Sequence, residues 1–427
     1  MNTVKSKSTC GKLAALTIAG TFALGAGASS ITIDSVAQRW PWNNKVDITY
    51  TVSGGQTRSA GVYCGLRFAV AANGQTYDFE GYTLGASAEN GQHTVTWTAP
   101  TGVKALDASI TATLFTTNVP SGNDYMIIDL GSGAIYYEGL MATQDDSNER
   151  YNVAEYKEDK MVLRKVPKWA DRAALPNAAS LPSNGYPTGD NTNYSSSNSE
   201  RKWATDKDFY VGVFNVTRTQ YSKVGLSIPT GIYTTEVEGD TVAWRPVANM
   251  RFDTLRGQAN PKTAITPNAS GNGFLQRLNY RTEAASGISG FDLPTEVMCE
   301  IATRAGTTSV YFWGDSADQA VVQEYCVCDL SGVECRAVGS RKPNGWGLYD
   351  MAGNIAQWCL DDDSLANMAN ATSVFVPAYN NRNNRRWGHG LASHAYNSAY
   401  HRSSSRIIRS YNVAHQCLGF RVYFVVT

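Results

Sequence analysis

The cysteines and histidines of this chain are the side chains that could bind a metal ion or act as nucleophiles. Cys326-x-Cys328, followed by Cys335, has the ligand type of a zinc site. Its one-residue spacing is not that of a zinc knuckle, and no histidine lies nearby in the sequence, so the pattern favours a local disulfide or buried free thiols. Seven cysteines follow residue 28, and this odd number leaves at least one thiol free or paired between chains. They are Cys64, Cys299, Cys326, Cys328, Cys335, Cys359 and Cys417.

The histidines are concentrated near the C-terminus, where four of the five lie between residues 389 and 415. Imidazole is a common ligand of transition metals, so this clustering raises the hypothesis of a metal site. However, His389, His394 and His401 lack a compact spacing with a carboxylate beside them. The sequence therefore argues against a site of three histidines.

The overall composition excludes some classes of partner. Lys and Arg together number 37, as do Asp and Glu, so the formal net charge is zero. A neutral chain has no bulk attraction to nucleic acid, and we expect no nucleic-acid partner. With 427 residues, of which 42% are apolar, the chain is long enough for two domains with buried cores.

Residues 1–28 have the pattern of a secretory signal peptide. Lys5, Lys7 and Lys12 precede the short apolar run Leu13–Ala23, and the small residues Ala26-Gly-Ala28 suit a cleavage site. No other stretch is long enough for a transmembrane helix, so we expect no membrane span. The sequence predicts a secreted, periplasmic or cell-surface protein.

Residues 31–140 contain runs in which polar and apolar residues alternate, separated by glycine-rich turns. Examples are Val46–Val52, His93–Thr98 and Ser109–Phe115. Alternation with a period of two indicates half-buried strands, and several short strands at this spacing predict an all-β sandwich domain. The polar and charged residues 141–160 predict a linker to a second domain, residues 161–427.

The second domain is predicted to be α+β, with short elements among long loops. Thr217 is the expected N-cap of one helix, and Thr295 that of a helix within Asp292–Gly306. The glycine- and aromatic-rich segment Arg341–Trp358 predicts a turn that leads into a strand. Cys417–Val422 predicts a terminal strand.

In this order, these segments resemble the formylglycine-generating enzyme, or sulfatase-modifying factor, family. The resemblance covers about residues 161–427 and implies a C-type-lectin-like fold with much irregular loop. The family's motifs correspond here to Phe214–Tyr221, Leu293–Gly306, Phe312–Gly314, Pro343–Trp358 and Gly419–Val422.

The same resemblance bears on catalysis, because family enzymes oxidise a sulfatase cysteine with a copper(I) ion held by two cysteine thiolates. The two positions fall here on Ser393 and Ser398. Copper(I) is a soft ion that serine hydroxyls cannot hold as thiolates do, and residues 360–416 contain no cysteine. We therefore expect neither formylglycine generation nor copper binding. The iron-binding branch of this fold takes its histidines from a separate helical region, which carries none here.

The resemblance also implies a calcium site in the turn that begins at Asp350. Its ligands would be Asp350, Gly353, Ile355 and Gln357. Such oxygen ligands suit a hard cation, but Gln357 replaces a glutamate and removes one negative charge, which lowers the expected affinity. The alternative is a turn held by backbone hydrogen bonds alone.

Residues 379–415 are rich in Tyr, Asn, Ser, Arg and His, the residue types of adaptable binding sites. We expect a non-catalytic surface that binds a protein or glycan ligand. The segment also resembles the variable region of proteins diversified by retroelements; the alternative is the polar cleft of a decayed enzyme. An active oxidoreductase of the same family and a structural cell-surface component are the competing functions. The predicted ligand-binding residues are Arg386, Trp387, His389, Ser393, His394, Tyr396, Asn397, Ser398, Tyr400, His401 and Arg402.

Overall fold

The computed structural model describes sixteen ranges of the chain. They are 30–38, 45–53, 62–72, 75–81, 91–98, 109–118, 122–140, 151–175, 177–189, 200–229, 239–328, 335–362, 373–377, 385–389, 401–416 and 418–427. The chain divides into two compact units, Met1–Val119 with Glu149–Val153 and Pro120–Asn148 with Ala154–Thr427.

The first unit is all-β in its described residues, as the alternating pattern predicts. Its strands are β1 (Ser30–Gln38), β2 (Lys45–Ser53), β3 (Val62–Ala72), β4 (Gln75–Gly81), β5 (Gly91–Thr98) and β6 (Ser109–Asn118). They form two three-stranded antiparallel sheets, in the orders β1-β2-β5 and β4-β3-β6, which touch along β1 and β6. Val46, Ile48 and Tyr50 on β2 are buried while the residues between them are partly exposed, so one face of this strand is covered, as in a sandwich.

The second unit combines short strands, short helices and long irregular stretches, and it confirms the predicted α+β class. Its strands are β7 (Tyr125–Asp129), β8 (Ile135–Glu138), β9 (Lys160–Val166), β10 (Tyr186–Thr188), β11 (Arg201–Trp203), β12 (Phe209–Gly212), β13 (Phe291–Asp292), β14 (Ala356–Asp362), β15 (Arg385–His389), β16 (Arg406–Ser410), β17 (Leu418–Gly419) and β18 (Tyr423–Val425). Its helices are α1 (Glu155–Glu158), α2 (Arg218–Lys223), α3 (Phe252–Arg256), α4 (Phe274–Ser286), α5 (Glu296–Arg304) and α6 (Gln319–Tyr325). Short 3-10 helices span Trp169–Ala174, Ala178–Ser180 and Val242–Trp244.

Two larger sheets organise this unit. One has six strands in the order β13-β18-β12-β9-β7-β8, and the other has four in the order β16-β15-β14-β17. Between and around them lies an aromatic and aliphatic core that includes Leu163, Phe274, Trp358 and Phe420, each fully buried. The core therefore supports both sheets of the second unit.

The boundary between the units differs from the predicted one at residue 140. Strands β7 and β8 belong to the second unit, because β7 pairs with β9 and places Met126 and Ile128 in the second core. The predicted linker 141–160 also contains α1 and the start of β9. Alternating residues identify a strand, but they do not tell which sheet the strand joins.

The helix caps predicted at Thr217 and Thr295 are present. The Thr217 side chain accepts a hydrogen bond from the Gln220 amide, and the Thr295 side chain accepts one from the Met298 amide. The predicted strand Cys417–Val422 is interrupted instead, and Cys417 itself lies outside the described residues. Strand β17 pairs with β14 in one sheet, whereas β18 pairs with β12 and β13 in the other, so the chain must cross between sheets in this stretch.

Candidate functional site

The Asp350 turn is buried and tightly constrained. Asp350 has a φ of 54° and is 2% exposed, and its Oδ2 accepts a hydrogen bond from the Gly339 amide at 2.9 Å. Burial raises the pKa of the Asp350 carboxyl, while this hydrogen bond and the positive charge of Arg421 act in the opposite direction. The Asp350 carboxylate therefore already has a hydrogen-bond donor, the Gly339 amide, and a nearby positive charge, Arg421, within the protein itself.

Arg421 supplies that cation. Its Nη1 donates to the carbonyl of Gly212 at 2.6 Å, and its Nη2 donates to the carbonyl of Tyr349 at 2.6 Å. Its Nε donates to Gln357 Oε1 at 3.1 Å, and Gln357 Nε2 donates to the carbonyl of Asp350 at 3.3 Å. With these oxygens directed to a guanidinium and an amide, the contacts of Asp350 and Gln357 do not fit a calcium ligand set. Calcium binding by this turn stays a prediction.

Gly353 and Ile355, the other two residues of the predicted calcium site, pack the turn against neighbouring segments. Ile355 is buried in a small cluster with Ala248 and Cys335. Gly353 has a φ of 75° and forms a parallel bridge with Val327. A Cβ atom at this glycine would clash with the sulfur of Cys326, so only glycine permits the approach. The turn therefore forms one wall of a second group of residues.

That second group is the thiol–imidazole cluster of Cys326, Cys328 and His401. One ligand atom from each residue lies within 4.8 Å of the others, and Cys326 Sγ is 3.3 Å from His401 Nδ1. All three residues are buried, and both thiols are free. The free thiols agree with one of the two alternatives that the sequence left open. The sequence did not predict that His401, 75 residues away, joins them.

The two thiols of the cluster have opposite pKa shifts. The hydrogen bond from Cys326 lowers the pKa of Cys328, and hydrogen bonding and charge from His401 add to this effect against the cost of burial. Burial raises the pKa of Cys326, and its interaction with Cys328 raises it further. Of the two thiols, Cys328 therefore loses its proton more readily than Cys326.

The predicted ligand-binding residues fall into four groups, of which buried His401 is the last. Arg386, Trp387 and His389 lie on β15, which pairs with both β14 and β16. Arg402 is half-buried. Ser393, His394, Tyr396, Asn397, Ser398 and Tyr400 lie outside the described residues.

His401 requires a correction to that prediction. It is 1% exposed and faces the thiols, so it is not part of an exposed binding surface. Composition identified the segment correctly as polar, but it could not show which of its polar side chains turns inward.

A buried ionic network fixes the strand that follows. Arg406 on β16 donates through Nε to Glu296 Oε2 and through Nη2 to Glu300 Oε2, each at 2.7 Å, and Arg304 Nε donates to Glu300 Oε1 at 2.8 Å. Burial lowers the pKa of Arg406, but the two glutamates outweigh that effect and the net shift is upward. Two buried acids facing two guanidiniums balance in charge, which makes the burial tolerable. The network ties β16, and through it β15, to helix α5; the sequence signal was the spacing of Glu296, Glu300 and Arg304 on one helix face.

The sequence profile of the sulfatase-modifying factor enzyme 1-like domain matches residues 175–424. The chain is 24% identical over 180 residues to the chaperone protein LppX of Paenibacillus barcinonensis, covering 38% of this chain and 64% of that protein. It is 35% identical over 80 residues to the formylglycine-generating enzyme of Mycobacterium tuberculosis, covering 16% of this chain and 27% of that enzyme. The chain thus spans less than two thirds of the length of either relative.

Solved structures with similarity to the chain include Treponema denticola variable protein 1 and PvdO from Pseudomonas aeruginosa. The first is 19% identical with a TM-score of 0.45, over 62% of this chain and 95% of that one. The second is 14% identical with a TM-score of 0.43, over 62% of this chain and 94% of that one. In the residues that the structure describes, no helix has the length and apolar character needed to cross a membrane.

Proposed function

The chain belongs to the family of sulfatase-modifying factor enzyme 1-like domains, and on that basis we propose that it is a non-catalytic binding protein. The family match also confirms the fold that the sequence motifs imply for the second domain. In this proposal the ligand is a protein or a glycan. It contacts the binding segment, defined as residues 379–415.

The proposal that the chain is non-catalytic rests on its cysteines. Residues 360–416 contain none, and both positions of the family's copper-binding pair are serines, Ser393 and Ser398. Hydroxyl groups do not hold copper(I) as thiolates do. The five free thiols of the described residues are all buried, which does not suit exchange with a substrate cysteine. We therefore derive no copper-dependent step for this chain.

The proposal that the chain binds a ligand is supported by the composition of the binding segment and by the strands β15 and β16 within it. Tyr, Asn, Ser and Arg give rigid contact area and adaptable hydrogen bonds. Strands β15 and β16 are paired along five residues each, and Arg406 anchors β16 to α5 through buried glutamates. A variable contact surface needs such a fixed scaffold beneath it.

A binding screen on the full chain tests this part. The chain is applied to a glycan array and to a displayed peptide library, and the strongest binder is measured by calorimetry against a variant with Tyr396→Ala, Tyr400→Ala and Arg402→Ala. We expect the affinity to fall by at least about tenfold, as the loss of aromatic and Arg contacts does at other interfaces. Tyr280→Ala is the matched control, because Tyr280 is 45% exposed on α4, outside the binding segment. Equal affinity of the triple variant and the control would contradict the proposal.

Export is the second part of the proposal, and it is supported by residues 1–28 alone. Cell fractionation followed by N-terminal sequencing of the mature chain tests it. We expect an extracytoplasmic protein that begins just after Ala28. A cytoplasmic chain that retains Met1 would contradict export.

Diversification of the binding segment would explain its composition, since adenine-directed changes produce Asn, Ser and Tyr codons in a restricted set of positions. The encoding DNA tests this idea. A near-identical template repeat beside a reverse transcriptase gene, differing only at adenines within codons 379–415, is the expected observation. A locus without such a repeat would leave a binding segment of fixed sequence.

A further inference from the structure

The thiol–imidazole cluster is a feature of the second unit that the proposed function does not use. Its three ligand atoms, two sulfurs and one nitrogen, lie within 4.8 Å of one another. Zinc bonds to sulfur at about 2.3 Å and to imidazole nitrogen at about 2.0–2.1 Å, so an ion placed among the three atoms needs only small shifts to reach all of them.

The backbone explains how a Cys-x-Cys sequence provides two ligands on one side. Cys326 follows α6 with extended dihedral angles, φ −125° and ψ 129°. The next residue, Val327, bridges Gly353, and its carbonyl accepts a hydrogen bond from the Asn354 amide at 2.9 Å. In an extended chain, residues i and i+2 share a face, so Cys328 lies on the same side as Cys326. The one-residue spacing does not match a zinc knuckle, but in this extended segment it places both sulfurs on the same side of the chain.

The imidazole of His401 is oriented by the sulfurs. Its Nδ1 atom is 3.3 Å from Cys326 Sγ, and its ligand atom lies within 4.8 Å of Cys328 Sγ, whereas its Nε2 atom is buried without a hydrogen-bond partner in the described residues. A buried ring nitrogen without a partner is costly, and such a residue is retained where another interaction compensates. The ring therefore serves the two thiols rather than a separate hydrogen-bond network.

We propose that Cys326, Cys328 and His401 bind one zinc ion, with the fourth position open to water or another ligand. Zinc is a borderline-soft ion that accepts thiolate and imidazole together in tetrahedral sites. Calcium is excluded by the absence of oxygen among the three ligands. A nucleophilic role for either cysteine does not fit, since a substrate cannot reach thiols that are at most 5% exposed.

The zinc site would tie three parts of the fold together. It joins the end of α6, the Asp350 turn that supports Val327, and His401 within the binding segment. Its residues are distinct from Ser393 and Ser398, the family's metal positions. Zinc binding does not depend on the proposed ligand-binding function, and it can be measured without any ligand.

Metal analysis of the full chain tests the site. The chain is purified under reducing conditions, stripped with a chelator and dialysed against zinc, and its content is measured by mass spectrometry of the metal. We expect about one tightly bound zinc ion per chain, and we expect cobalt(II) in its place to show thiolate-to-cobalt absorption. Competition with a chromophoric chelator then gives the affinity.

Two variants test the proposed ligands, and a third serves as the control. Cys328→Ser and His401→Ala should each weaken zinc binding by at least about tenfold, because removal of a ligand costs no less than removal of a supporting contact. Cys299→Ser should leave it unchanged, since Cys299 and Cys359 form another buried thiol pair that the described residues do not combine with a histidine. If either cluster variant fails to fold, the cobalt spectrum of the unaltered chain decides. No stoichiometric zinc, no thiolate–cobalt band, or a Cys326–Cys328 disulfide in the native protein would each overturn the proposal.

Discussion

The Asp350 turn and the thiol–imidazole cluster are neighbouring regions that differ in how their polar atoms are satisfied. In the turn, the Asp350 carboxylate and the Gln357 amide contact the Gly339 amide and Arg421. In the cluster, two thiols and an imidazole face one another, and His401 Nε2 has no partner in the described part of the chain. The turn matches a familiar metal-binding pattern in sequence but is filled by protein groups, whereas the cluster matches none and has the geometry of a site.

Arg421 gives the largest expected effect. Arg421→Met removes a buried guanidinium that holds Gln357 and the carbonyls of Gly212, Val213 and Tyr349. We expect the free energy of unfolding to fall by about 3–5 kcal/mol, because breaking a buried charged network leaves its partners uncompensated. Urea denaturation measures this loss.

The control is Arg251→Met, which removes an exposed ion pair with Asp253 and should cost less than about 1 kcal/mol. A loss below about 1 kcal/mol for Arg421→Met would mean that the turn does not depend on its internal cation.

Metal addition contrasts the two regions directly. Zinc at about 100 times its dissociation constant should raise the free energy of unfolding by about 2.7 kcal/mol and so raise the melting temperature, whereas calcium should leave it unchanged. Thermal unfolding of the metal-stripped chain with each ion measures the difference. Stabilisation by calcium that Gln357→Ala abolishes would show that the turn, too, binds a metal ion.

Gly353 is the point at which the two regions touch. Gly353→Ala adds a Cβ that clashes with Cys326 Sγ, at a φ of 75°. We expect a loss of about 2–3 kcal/mol in the free energy of unfolding, and weaker zinc binding as Cys326 is displaced. Denaturation and the zinc competition assay report the two effects.

Gly287→Ala isolates the backbone contribution, because Gly287 has a φ of 68° and no atom lies within 4 Å of the position that its added Cβ would take. It should cost about 1–2 kcal/mol and leave zinc binding intact. Equal effects of the two substitutions would show that the contact with Cys326 contributes nothing.

The smallest expected effect is the pH dependence of stability that Lys157 causes, which reports on the charges around the turn. Burial lowers the pKa of Lys157 to about 8, partly opposed by Asp350. The unfolded chain therefore binds more protons than the folded chain between pH 8 and the ordinary lysine value, so the stability of the folded state rises with pH in that window. From pH 7 to pH 9 we expect a gain of about 1 kcal/mol relative to Lys157→Met, measured by urea denaturation at both values. A difference that stays constant with pH would contradict the lowered pKa.

The elements that local chemistry specifies were predictable from sequence. Thr217 and Thr295 cap helices because their hydroxyls meet free amides one turn later, and this depends on only four consecutive residues. The strands of the first unit follow from alternation. The family's ordered motifs, finally, indicated the fold of the second domain.

The features that could not be predicted from sequence depend on contacts between distant segments. His401 meets Cys326 across 75 residues, and Arg406 meets Glu296 across 110. Nothing near Arg406 in sequence shows that its partners lie on α5. Strands β7 and β8 were placed in the wrong unit for the same reason, because their own residues do not show that β7 pairs with β9.

This domain keeps the family's fold and buries its thiols in the described core, while its C-terminal segment, residues 360–416, contains no cysteine. Incubation of the purified chain with a cysteine-containing sulfatase peptide, copper and oxygen tests most directly whether the domain is non-catalytic, with the Mycobacterium tuberculosis formylglycine-generating enzyme as positive control. Mass spectrometry should show the peptide cysteine unchanged by this chain, with or without bound zinc. Copper-dependent conversion of that cysteine to the aldehyde would show that the domain is catalytic without the family's cysteine pair.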